Sequence, residues 1–138
     1  MEKTVSAKMG IKPGGRTHFI DAPAEAIEAM QLPTLDIKTT LEGTFDYLHL
    51  FVTSQQAMHA QFATLKNHLA PTGMLWVSWP KAGQQGTDLT LTNVIAIGYE
   101  YSLVESKSIR IDSTWSALKF THPKEGKIYN NSYGNLKR

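Results

Sequence analysis

Two short stretches constrain this chain more than anything else in it. Residues 47–52 (YLHLFV) and 74–79 (MLWVSW) are apolar at nearly every position. A strand with one face in water alternates apolar and polar residues. A strand apolar on both faces needs helices above and below it, which is the setting of a central parallel strand. Between the two runs lie Met58, Phe62, Leu65 and Leu69, spaced so that they form one buried stripe along a helix. Strand, helix and strand in that order make the unit from which parallel sheets are built.

The flanking sequence extends the pattern. Pro13-Gly14-Gly15 marks a turn, and residues 17–20 (THFI) read as a strand ending at Asp21-Ala22-Pro23. A helix over 24–31 follows, buried through Ala26, Ile27 and Met30, with a proline at its start where the missing N–H costs nothing. Residues 35–42 alternate Ile37, Thr39 and Leu41 with Asp36, Lys38 and Glu42, which predicts a half-buried strand. The next strand covers 45–53. Ser54 is a good N-cap for the amphipathic helix, which Pro71-Thr72-Gly73 ends. Residues 81–87 (KAGQQGT) form a loop, and Asp88 is placed to cap a helix running to Tyr101. Residues 104–111 and 116–120 are strands joined by a turn at Asp112-Ser113-Thr114, a connection short enough to require an antiparallel pair. The expected fold is a three-layer, Rossmann-like α/β domain: a mostly parallel sheet of about six strands, closed by a C-terminal antiparallel hairpin.

A chain of 138 residues is served by one core; a single domain is expected over 1–123, followed by a polar, basic, flexible tail over 124–138. The net charge of +2 is misleading as a whole-chain figure. Four of the 14 basic residues and one of the 12 acidic ones fall in 124–138, leaving ten and eleven for the rest. The body therefore lacks the basic face of a nucleic-acid binder. The absence of cysteine excludes disulfides, thiolate metal sites and cysteine nucleophiles. With no signal-peptide run at the start and no stretch long enough to span a bilayer, a cytoplasmic location without membrane association is expected.

Several segments carry a family resemblance. Residues 12–16 (KPGGR) with 18–21 (HFID) look like the entry to the first strand of S-adenosylmethionine-dependent methyltransferases. Residues 69–75 (LAPTGML) resemble the turn before their fifth strand, and a last helix followed by an antiparallel pair resembles their C-terminal half. The resemblance implies a reduced methyltransferase-like topology. It also implies an acidic residue and a run of glycines after the first strand, letting backbone N–H groups approach the cofactor. This chain departs from that pattern: residues 21–25 are DAPAE, with no glycine before Gly43. The combination of 9–14 (MGIKPG), 46–54 (DYLHLFVTS), 75–81 (LWVSWPK), 87–89 (TDL) and 112–120 (DSTWSALKF) is similar to a small bacterial family classed as a domain of unknown function. That resemblance implies the fold and carries no activity with it.

In open parallel sheets, ligands sit beyond the carboxyl ends of the strands, where the strand order reverses. In this chain those ends bring Asp21, Thr53, Ser54, Trp79 and Lys81 to one crevice, with Asp88 closing the following loop. They offer acids, hydroxyls, an indole and an ammonium to a small polar molecule. Their structural alternative is that Asp21, Ser54 and Asp88 cap helices or turns while Trp79 packs. Glu42 stands where such folds place the acid that holds a ribose, or is a solvated edge carboxylate. His59 and His68 lack the spacing of a helical zinc pair, and Ser54 and Ser78 lie outside any nucleophile elbow. No catalytic constellation and no metal site is expected. Trp115 is expected to pack in the interior. The leading expectation is a non-catalytic domain that binds a small polar ligand or a protein partner at the strand ends. A degenerate methyltransferase using S-adenosylmethionine, and a structural module that pairs with a second copy through its edge hairpin, are the alternatives.

Overall fold

The computed structural model describes residues 3–124; all but the first residue of the expected tail lies outside them. A first helix α1 (Val5–Met9) leads into strand β1 (Arg16–Ile20), helix α2 (Ala24–Met30), a two-residue strand β2 (Asp36–Ile37) and strand β3 (Phe45–Phe51). Helix α3 (Gln55–Asn67) and strand β4 (Leu69–Pro80) follow. A run of tight turns over Lys81–Gly86 then leads to helix α4 (Leu91–Glu100) and the strands β5 (Val104–Arg110) and β6 (Trp115–Thr121). The six strands form one sheet in the order β2-β1-β3-β4-β6-β5. Strands β2, β1, β3 and β4 run parallel, and β6 pairs antiparallel with both β4 and β5. The fold is the expected mixed α/β sheet, with the two apolar runs side by side at its centre.

Burial follows the strand period. Leu48 and Leu50 on β3, Val52 just after it, and Leu75, Val77 and Trp79 on β4 face α3 and α4, and together they build the larger core. Tyr47 and Phe51 with Trp76 face the other way, toward α1 and α2, in a smaller core completed by Met9, Met30 and Trp115. Trp115 is 4% exposed, as expected of a packed aromatic. The two covers are unequal: α3 and α4 have 13 and 10 residues, α1 and α2 only five and seven.

Four local expectations are corrected. The element pattern read from the sequence starts at the turn over residues 13–15, whereas a helix precedes it: Thr4 caps α1 and the Ser6 hydroxyl donates to Gln31 O at 2.8 Å, tying α1 to α2. The strand expected over 35–42 shrinks to Asp36–Ile37. Beyond Lys38, whose N–H reaches Thr17 O, the chain turns away so that Leu41 packs against the larger core. The fourth strand begins at Leu69 instead of Met74, because Phe45 pairs with Leu69 and Tyr47 with Met74 across an irregularity that absorbs Pro71 and Gly73. A Cβ on Gly73 would stand 2.7 Å from Phe45 O, so only glycine lets the strands approach there. Finally, Asp88 does not cap the last helix. Thr90 does, in a reciprocal capping box with Asn93.

Candidate ligand site at the strand ends

Since β1 has β2 on one side and β3 on the other, the connections from β1 and from β3 leave in opposite directions. The crevice between them is where a ligand fits in such sheets. The residues delivered there differ in what they have left to offer. Asp21, directly after β1, is exposed and holds a left-handed backbone at φ 57°, an arrangement that costs a non-glycine residue on the order of 1 kcal/mol or more. Thr53 is exposed at the end of β3. The Ser54 hydroxyl accepts the Ala57 N–H at 3.0 Å, so it is engaged as the cap of α3. Asp88 reinforces that cap: its carboxylate accepts the Gln55 N–H at 2.8 Å, while its carbonyl accepts from the side chains of Gln55 and Asn93. Lys81 is half-buried, and its backbone N–H donates to Thr114 O at 2.8 Å. Trp79 is turned into the larger core at 4% exposure.

Asp21, Thr53, Ser54, Lys81 and Asp88 therefore share one pole of the sheet, and Trp79 lies beneath them. Glu42 does not join them. Its carbonyl accepts from Arg16 Nη2 at 2.7 Å, and Arg16 begins β1, so Glu42 stands at the opposite pole. The same guanidinium donates to Thr44 O and lies 4.5 Å from the Phe45 ring centre. That clamp holds the chain between β2 and β3 at the lower end of the sheet, and it separates Glu42 from the crevice.

Sequence reasoning missed a polar chain buried in the smaller core. Tyr47 Oη lies 2.6 Å from His49 Nδ1, and His49 Nε2 lies 2.7 Å from Ser78 Oγ. Residues 47 and 49 share a face of β3, and the pairing of Phe51 with Ser78 sets β4 alongside; the visible signal was a histidine interrupting an apolar run. One direction of donation uses every hydrogen. Ser78 O–H donates to Nε2, Nδ1–H donates to Tyr47, and the Tyr47 O–H donates to Met30 Sδ at 3.8 Å. The reverse direction would leave the Ser78 hydroxyl hydrogen without an acceptor. Burial pushes the His49 pKa down to about 3 and the Tyr47 hydroxyl up, so both are neutral. His49 and Ser78 are wholly enclosed and no carboxylate joins them; the chain serves packing, not nucleophilic attack. Among the described residues no group of three or more His, Asp or Glu is arranged to hold a metal ion, and no helix is long and apolar enough to cross a membrane.

Strand order, hairpin and helix placement together define a Rossmann-like domain of the methyltransferase-like type. No protein-family model matches the sequence, and comparison with curated proteins finds no relative. Solved structures do match. A methyltransferase from Pyrococcus furiosus is similar at a TM-score of 0.58 and 14% identity, over 84% of this chain and 79% of that one. Magnesium protoporphyrin IX methyltransferase from Synechocystis PCC 6803 with bound S-adenosylhomocysteine is similar at 0.57 and 12% identity, over 85% and 78%. An N-methyltransferase from Bradyrhizobium japonicum is similar at 0.55 and 15% identity, over 87% and 91%. At such identities the likeness is one of fold.

The residues present do not fit an adenosyl cofactor in the manner that the family resemblance implies. The turn after β1 is Asp21-Ala22-Pro23, so two β-carbons and a proline ring stand where glycines would expose N–H groups. Asp21 itself takes up the left-handed conformation a glycine would adopt freely. The expected ribose acid, Glu42, is at the far pole.

Proposed function

We propose that this chain is a non-catalytic methyltransferase-fold domain that binds a small polar ligand in the crevice beyond β1, β3 and β4. The observation that carries the reading is where the backbone is strained. Of the five non-glycine residues with left-handed φ, three, Asp21 (57°), Ala82 (54°) and Gln85 (56°), stand at this pole, and the other two, Gln31 and Ser102, follow the ends of α2 and α4. Strain of that kind persists where the surroundings hold a segment in place for a purpose. Asp21 and Lys81 bring opposite charges to the rim, and Thr53 follows β3, the strand between theirs. The capped start of α3 gives that rim a rigid floor.

The test is a thermal-shift panel of nucleotides, nucleosides and amino acids. A ligand present at about a hundredfold its Kd stabilises the folded state by about 2.7 kcal/mol. A clear rise in Tm is therefore expected from at least one compound, lost in both Asp21→Asn and Lys81→Gln. Silence across the panel, or a response unchanged in both variants, overturns the proposal. Calorimetry with S-adenosylhomocysteine separates it from the degenerate-methyltransferase reading. No heat is expected, and binding heat that vanishes in Asp21→Asn would favour the enzyme.

A further inference from the structure

A cavity of about 410 Å³ opens at the pole opposite the crevice, within the range of small-molecule pockets. It exists for a structural reason. On this face of the sheet the cover consists of helices of five and seven residues, too short to reach across six strands. The segment between α1 and β1 roofs the uncovered corner instead. Ile11, Pro13, Leu35, Tyr47 and Met74 supply apolar walls. The polar groups are unequal in sign: Lys12 and Lys119 both line the space, and neither has an ion pair or a side-chain hydrogen bond among the described residues. The acid there, Asp46, has an oxygen engaged by the Arg16 N–H at 2.9 Å. Lys119 is half-buried and pairs across the ladder with Trp76. Two ammonium groups against one carboxylate leave the lining with a net positive charge, which a bound anion balances.

We infer that this cavity binds a small amphipathic anion, an aromatic or similarly apolar body carrying one carboxylate or phosphate. The apolar end lies against Tyr47 and Met74, and the anionic end meets Lys12 and Lys119. The site is independent of the strand-end crevice and rests on separate residues.

The molecule contains a reporter for it. Trp76 Nε1 donates to Met74 Sδ at 3.3 Å, and Met74 lines the cavity. Trp79 and Trp115 lie toward the other pole, with Trp115 paired to Pro80. The three tryptophans give separate indole N–H signals in ¹H–¹⁵N spectra of the full chain. Titration uses benzoate, phenylacetate and phenyl phosphate, with benzamide and phenylacetamide as neutral counterparts. At least one anion is expected to shift the Trp76 signal while leaving Trp79 and Trp115 in place, and the amides are not. Lys119→Gln is expected to weaken that binding about tenfold, as loss of a charge-assisted contact does, and Lys119→Arg, which keeps the positive charge, to retain it. Lys12→Gln, in the exposed roof, gives a second reading should Lys119→Gln fold poorly. No shift at Trp76 with any anion overturns the inference. So do amides binding as well as acids, or wild-type affinity in both glutamine variants.

Discussion

His49 occupies the middle of a strand that is otherwise apolar, with its imidazole sealed between Tyr47 and Ser78 and stacked on Phe51 at 4.3 Å between ring centres. Burial holds it neutral down to about pH 3, whereas in the unfolded chain it titrates near 6.5. As pH falls through 6.5, the unfolded state takes up a proton that the folded state refuses. The stability linked to this group is therefore complete above about pH 6.5 and is lost progressively toward pH 3, by up to about 1.4 kcal/mol per pH unit. Urea unfolding at about pH 7 and about pH 5 should show this loss. His49→Gln should be less stable at the higher pH, since two buried hydroxyls lose a partner, yet show a shallower slope. Equal slopes would mean that the ring is not sealed. The sequence placed this histidine on a strand. It did not show that 47, 49 and 78 meet, because that depends on the register between β3 and β4, which separate strands set only when packed.

At the scale of elements, Gly98 puts two principles in opposition. Inside α4, replacing glycine by alanine should stabilise the helix by about 1 kcal/mol, and from the sequence Gly98 reads simply as a weak point. The fold reverses that expectation. A Cβ at position 98 would lie 2.0 Å from Phe120 Cε1. Phe120 is fully buried and set edge-on to Phe62 at 5.4 Å between ring centres, so it has nowhere to go. Overpacking typically costs about 1–3 kcal/mol, and this contact belongs at the upper end. Gly98→Ala is expected to destabilise by about 1–2 kcal/mol net, measured by urea unfolding, with part recovered on adding Phe120→Leu. Element boundaries show the same limit. The helix stripe of Met58, Phe62 and Leu65 was legible because its period is local. The short β2 was not: alternation over 35–42 looks identical whether Leu41 faces a sheet or turns back to a core. Asp88 was read correctly as a capping residue but assigned to the wrong helix, since its partner at Gln55 is 33 positions away.

For the whole molecule, the sheet order sets where stability lies. Strands β3 and β4 have hydrogen-bonded neighbours on both sides and a core on each face, while β2 is a two-residue edge with Ile37 54% exposed. Amide exchange should be slowest at Leu48, Leu50, Leu75 and Val77, near the limit set by global unfolding, and orders of magnitude faster at Ile37. Comparable rates at the centre and the edge would contradict this arrangement. The outer hairpin strand β5 carries Lys107, whose ammonium donates to Lys8 O, a charge on an edge that discourages pairing with another sheet.

The sequence by itself determined the fold class, the two central strands and the pole to which Asp21, Thr53, Ser54 and Lys81 are delivered. These follow from local periodicity and from the rule that strands apolar on both faces lie parallel between helices. The tertiary structure alone decided the rest: which capping groups are already engaged, that Glu42 sits at the far pole, that a tyrosine, a histidine and a serine join in the smaller core, and that two short helices leave a corner of the sheet uncovered, where a cavity opens. Each of these depends on which residues meet across long separations, and spacing along the chain does not encode distance between elements until they pack.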